Sequence, residues 1–317
     1  MSTSKKKFGL LLGMIWYWFA WQILTPHLIS YLFETPNLMS EFLAELLTVG
    51  IPALLLATLH FKINEEKTAL FKIDDAPIKE LPPGTLLASI ISGTGLFFFV
   101  TYAVNTVQLI YAFQTGRFVV SSLPEEYSFG IFIIILVINA VMPAVFEEII
   151  YRGLYYDAFR FSNKRTIYLV PAFIFASLHS GVVSILSAFL LGLMLIVLYN
   201  KFHSLKLTIL IHFIYNLSGA VFGNCIAVPF SILSVWTMHP NNTQLQIAIA
   251  VSICITLLTL LIVVYSFVFC VRKKESHKKI AKTASQHKKK SDVLLTVCLV
   301  VSAFLTLVLN FFLRLYS

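Results

Sequence analysis

Nine apolar segments follow one another along the chain, near residues 8–33, 38–61, 84–113, 129–160, 166–180, 184–200, 206–223, 245–271 and 293–316. The hydrocarbon core of a bilayer is about 30 Å thick, and a helix rising 1.5 Å per residue crosses it in roughly 20 residues. Inside that layer every backbone N–H and C=O must be satisfied within the segment, which a helix does. The expected fold class is therefore all-α: a polytopic transmembrane helix bundle of about nine spans. The fifth and sixth segments are short and meet at Ser180-Gly181, a turn signal. The third follows Pro82-Pro83-Gly84, a helix-start signal. Ile226 to Met238 is apolar but too short to cross, and reads as a re-entrant or interfacial piece. Met1 to Lys7 is basic and precedes a long apolar run without an obvious small-residue cleavage site, so it reads as the lead-in to a first span.

The loops test this count. With the N-terminus inside, the inner segments collect 21 Lys and Arg and the outer ones only Arg117 and Arg314, with Arg152 left within a span. One span more or fewer would scramble that positive-inside bias. The expected topology is N-terminus cytoplasmic and C-terminus external, in a multi-pass integral membrane protein. The same placement explains the formal net charge of +9 without nucleic acid, which is not an expected partner. Nine of the cations lie between Arg272 and Lys290. That loop serves as a topology determinant, with contact to anionic lipid over 272–290 as the alternative. The four cysteines, Cys225, Cys254, Cys270 and Cys298, show neither paired nor metal-type spacing and read as small residues within spans.

The fourth segment carries the most costly residues of the chain, Glu147-Glu148-Ile149-Ile150-Tyr151-Arg152. A charge at membrane depth costs about 2.5–3.5 kcal/mol even on lenient insertion scales, so it is tolerated only facing a protected interior. Glu148 and Arg152 are four apart and share a helix face, where they can pair. Glu147 is rotated by about 100° from Glu148 and is the carboxylate outside that pair. Two readings stand side by side: a structural ion pair holding helices together, or a functional site. Pro143, four residues before Glu147, is expected to end or kink the helix. Glu41 and Glu45, also i, i+4, read as interfacial residues near the end of the second span. Asn105, Gln108 and Asn139 read as interhelical hydrogen-bond partners.

Two further stretches stand out: Phe175-Ala176-Ser177-Leu178-His179 in the fifth segment and His212-Phe213-Ile214-Tyr215-Asn216 in the seventh. His212 and Asn216 share one helix face, and Phe175 lies one turn from His179, where it can pack on the imidazole. A lone membrane histidine is usually a packing residue. Two carboxylates, two histidines and an amide on three spans suit hydrolysis. A buried glutamate can take a proton from water, a histidine can orient that water, and a histidine and an asparagine can donate to a developing oxyanion. Glu and His also bind zinc, but HExxH is absent. The expectation is chemistry without a cofactor, with zinc as the alternative.

Taken in order, EExxxR, FxxxH and HxxxN on separate spans resemble the CPBP family of intramembrane proteases. That family includes CAAX prenyl proteases of the Ras-converting type and bacterial proteins of bacteriocin processing or self-immunity. The resemblance covers roughly residues 130–223. It implies that Glu147 activates water with the help of His179, that Glu148 and Arg152 support the site, and that His212 and Asn216 form the oxyanion hole. The implied partner is a membrane-associated or lipidated peptide or protein, and the division of the chain is 1–128 N-terminal helices, 129–223 protease core, and 224–317 a helix pair with the basic loop. Two other functions compete. One is a non-proteolytic peptide binder of the immunity or regulatory type. The other is a transporter, which would prefer repeated halves, and no repeat is visible.

Overall fold

The computed structural model describes residues 3–32, 37–55, 75–116, 129–159, 162–179, 181–236, 242–273 and 293–315. The described residues are helical apart from short connections, and no strand occurs among them. In chain order the helices are α1 (Thr3–Leu32), α2 (Leu38–Leu55), α3 (Thr85–Thr115), α4 (Phe129–Tyr155), α5 (Lys164–Ser177), α6 (Val182–Phe202), α7 (Leu205–Trp236), α8 (Asn242–Arg272) and α9 (Val293–Leu315). Each of the nine apolar segments falls on one of them. The protein is an all-α integral membrane protein. Among the described residues, six stretches are long and apolar enough to cross a bilayer: α2, α3, α4, α6, Leu205–Phe222 of α7, and α8. At 14 residues, α5 reaches only about 21 Å at 1.5 Å per residue, short of a crossing. The basic residues of 274–290, together with Arg117, Ser180 and Asn241, lie outside the described residues.

Two expectations are corrected. Ile226 to Met238 is not a separate interfacial piece as far as it is described, because α7 runs unbroken from Leu205 to Trp236. Pro143 does not end its helix. A proline ring crowds the carbonyl four residues back and lacks an N–H. The backbone accommodates it in a π turn over Val137–Val141, then resumes regular helix over Met142–Glu148. A second π turn, Ile149–Tyr155, follows at once. Such widened turns inside α-helices are rare and are often found at functional sites.

Local sequence sets several helix ends. Asn37 and Ser40 form a reciprocal capping box at the start of α2, the Asn37 side chain accepting from the Ser40 N–H and the Asn37 N–H donating to Ser40 Oγ. The Asn163 side chain caps α5 by accepting from the Thr166 N–H. Gly116, in the left-handed region at φ 66°, closes α3 as glycine can without strain.

The described chain forms two compact units. The first comprises residues up to Pro82, Val141–Leu210 and those from Lys274 on. Its core gathers Ile15 of α1, Val49 and Ala53 of α2, Ile150 to Tyr156 at the end of α4, Ile174 to Ala176 of α5, Ile196 and Tyr199 of α6, and Leu299 and Ala303 of α9. The segment before α3 is pinned within this unit, with Asp75 paired to Lys206 at 3.0 Å and the Ala76 N–H bonded to the His203 carbonyl. The second unit comprises Pro83–Ala140 and Ile211–Lys273. In it α3 and α8 lie side by side along their length.

Candidate active site

Glu148 and Arg152 are buried in the first unit beside its apolar core. Their side chains are 0% and 1% exposed, and Arg152 Nη1 meets Glu148 Oε1 at 2.9 Å. This is the i, i+4 pair the spacing predicts. Two further contacts offset the desolvation of the guanidinium. Arg152 Nη2 donates to the Gly192 carbonyl of α6 at 3.3 Å. The guanidinium also sits 5.6 Å from the centroid of the Phe175 ring, a cation–π distance. Removing two ions from water costs several kcal/mol each, and only such extra partners make the burial tolerable.

Glu147, next in sequence, is in a different environment: it is only half-buried, whereas Glu148 is sealed. Its neighbourhood includes a third carboxylate. Glu45 of α2 lies within electrostatic reach of Glu147. Glu45 is half-buried and its Oε1 is closed off without a hydrogen-bond partner among the described residues, while Glu41 one turn earlier is exposed. The two thus differ in burial.

Phe175 links the ion pair to His179. Its ring faces Tyr151 edge-on at 4.9 Å and His179 edge-on at 4.9 Å. His179 lies just past the end of α5, where the last carbonyls of a helix lack partners. It supplies one: Nδ1 lies 2.9 Å from the Phe175 carbonyl oxygen, and the His179 N–H bonds to the Ala176 carbonyl. A carbonyl can only accept, so Nδ1 carries a proton in this geometry. In the neutral ring the lone pair is then on Nε2. A fixed tautomer of this kind is what an acid–base histidine requires, and it also serves as a helix cap.

Gly192 makes the arrangement possible and was not singled out from the sequence. A Cβ there would come 2.8 Å from Phe175 Cδ1 and 3.4 Å from the Ala172 Cα. The small pair Ala172 and Gly192 lets α5 and α6 approach closely, as small residues do between membrane helices. That pair was the available signal.

His212 and Asn216 belong to the second unit, one turn apart on α7 as their spacing predicts. His212 is 2% exposed and Asn216 half-buried. Between them, Tyr215 packs edge-on against Phe97 of α3 at 6.0 Å. Ile211 Cγ2 lies 2.8 Å from where a Cβ on Gly93 would sit, so α3 and α7 also meet across a glycine. The structure thus groups Glu147, Glu148, Arg152, Phe175 and His179 in one unit, and His212 and Asn216 in the other. Among the described residues no three His, Cys, Asp or Glu side chains converge in a metal-holding cluster.

Residues 129–218 match the family model Rce1-like, described as type II CAAX prenyl endopeptidase. Over that stretch, under a third of the chain, the match is consistent with the resemblance to CPBP intramembrane proteases. All seven candidate residues fall inside it. No curated protein and no solved structure matches the chain. What the match describes is a membrane endopeptidase, and it falls on helices that are long and apolar enough to cross a bilayer.

Proposed function

We propose that the protein cleaves a peptide bond of a membrane-associated or lipidated substrate with water activated by Glu147. The observation that carries this reading is the contrast between two adjacent carboxylates. Glu148 is sealed and held at 2.9 Å by Arg152, so its charge is committed to the pair. Glu147 lies outside that pair and is the less enclosed residue of the two. In this reading Glu147 takes a proton from the water as it attacks the scissile carbonyl. His179, its Nδ1 fixed on the Phe175 carbonyl, uses Nε2 to orient the water and pass the proton toward the leaving amine. His212 and Asn216 donate to the oxyanion, the contribution usually largest in acyl transfer. Their assignment rests on the order of the three motifs. Glu148, Arg152 and Phe175 hold the first two groups in place. The donor set Glu147, His179 and His212 is also of a type that binds zinc, so metal dependence is part of the test.

The test is cleavage of a peptide substrate by purified protein. Glu147→Gln keeps the shape of the side chain and should leave the fold intact while reducing the rate by more than 10³-fold. Asn216→Ala and His212→Ala should each reduce it by on the order of 10²–10³, as loss of an oxyanion donor does. Undiminished cleavage by well-folded Glu147→Gln would refute the mechanism. A peptide-binding function untouched by Glu147→Gln would favour a non-proteolytic binder. Activity lost to a chelator and restored by stoichiometric zinc would keep the protease and replace its chemistry with metal-assisted hydrolysis.

A further inference from the structure

The second unit contains a feature that the proteolytic site does not use. Beside Gly84 and Phe269 an apolar surface groove of about 490 Å³ runs along the packed α3–α8 seam, its walls including Leu87, Ile91, Leu261 and Tyr265. The Ser266 Oγ in its wall is already bonded to Ser92 at 2.8 Å and to its own helix. Apart from the Tyr265 phenol the groove is apolar and suits a hydrocarbon chain. The headgroup chemistry lies at its end. Tyr265 and Phe269 also wall a second hollow of about 340 Å³, completed by Val268, Arg272 and Lys273. Lys273 Nζ sits 4.3 Å from the Phe269 ring centroid, so the ammonium is held at the mouth of the groove by a residue that lines it. Neither hollow is lined by an acidic side chain among the described residues.

We propose that this groove is a binding site for one anionic glycerophospholipid, an acyl chain laid along the α3–α8 seam and the phosphate against Arg272 and Lys273. Any lipid surface will fill an apolar groove. The two cations at one end select the headgroup charge, since each Lys or Arg near a membrane surface favours anionic lipid. The positive-inside pattern puts that end in the cytoplasmic leaflet. The tyrosine beside the cations suits the headgroup level, where aromatic belts sit.

Native mass spectrometry of the full-length protein, delipidated and titrated with dioleoyl phosphatidylglycerol or dioleoyl phosphatidylcholine, reads the site directly. The expected result is one phosphatidylglycerol retained per chain, with a preference over phosphatidylcholine on the order of tenfold. Arg272→Gln with Lys273→Gln should erase that preference, and Arg272→Lys with Lys273→Arg should keep it. Leu87→Trp, at an exposed groove position, should weaken both lipids by filling the space and keeps the test decisive if the charge variant fails to fold. Equal retention of the two lipids by the native chain would overturn the proposal. So would a phosphatidylglycerol preference unchanged in the glutamine pair, which would assign it to other cations of the chain, or retention unaffected by Leu87→Trp.

Discussion

Polar groups are buried in both units of this molecule, and in opposite ways. In the first unit a full charge pair, Glu148 and Arg152, is concentrated at one point and sealed by aromatic and apolar side chains. In the second, α3 and α8 are joined by neutral groups spread along a seam: Ser89 to Cys270 at 3.4 Å, Ser92 to Ser266 at 2.8 Å, and Thr106 to Ser252 at 2.8 Å. The difference is in what happens when one partner is lost. The Ser92, Ser266 and Thr106 hydroxyls also lie within bonding distance of a carbonyl on their own helix. Each can turn its proton inward, so no orphan is created. Loss of the Arg152 guanidinium leaves a full carboxylate charge buried at Glu148. A distributed seam holds two helices together at little risk, whereas a concentrated pair fixes one geometry and fails as a whole.

The largest effect is therefore expected at the pair. Arg152→Ala should lower stability by roughly 3–5 kcal/mol, the usual result of leaving one member of a buried pair behind. Folded yield in detergent and the unfolding midpoint report it. Replacing both charges, Glu148→Leu with Arg152→Met, should recover most of the fold, because well-packed apolar residues often replace a buried pair without loss. Activity of that double variant then separates the two readings of the pair. Recovered fold with low activity assigns it to positioning Glu147 and His179. Recovered fold with full activity makes it structural alone. Normal abundance and midpoint in Arg152→Ala would contradict the comparison itself.

The parts of this site that were legible in the sequence are those governed by one helix. Glu148–Arg152, Phe175–His179 and His212–Asn216 follow from i, i+4 spacing, and all three appear as expected. The contact of Arg152 with Gly192 comes from α6, 40 residues away. No periodicity encodes it, and only the small residues Ala172 and Gly192 hint at it. Glu45 reaches the neighbourhood of Glu147 through the packing of α2 against α4, which is again tertiary. Of the two outcomes expected at Pro143, an end or a kink, the helix does not end, and the π turn over Val137–Val141 is the irregularity that accommodates the ring. Ile226 to Trp236 was misread because length was judged on the apolar run alone, while the helix continues through it.

A smaller effect is expected at the close approach that supports the pair. In Gly192→Ala the new Cβ would sit 2.8 Å from Phe175 Cδ1 and 3.4 Å from the backbone of Ala172. Something must shift, and overpacking of this kind usually costs about 1–3 kcal/mol. The displaced ring is the one that contacts both Arg152 and His179, so activity should fall with stability. Adding Phe175→Leu should relieve the clash, giving a double-mutant coupling larger than the ~0.5 kcal/mol expected of independent sites. Strict additivity would show that Gly192 and Phe175 do not constrain each other.

The smallest effects are expected along the seam. Ser92→Ala and Thr106→Val each remove one interhelical hydroxyl and leave its partner a backbone carbonyl to donate to, Ile262 on its own helix for Ser266 Oγ and Tyr102 across the seam on α3 for Ser252 Oγ. Hydrogen bonds between membrane helices average about 0.6 kcal/mol in double-mutant cycles, and each substitution should cost about that much. The two positions are 14 residues apart on one helix, about 21 Å at 1.5 Å per residue. Their effects should therefore add, to a little over 1 kcal/mol in the double variant. Ser92→Ala with Ser266→Ala should cost scarcely more than either alone, since the second loss removes a bond already gone. Unfolding midpoints of the four variants, measured against Arg152→Ala in the same detergent, set the two units on one scale. A loss at Ser92 as large as that at Arg152 would mean that the seam, like the pair, depends on a single contact.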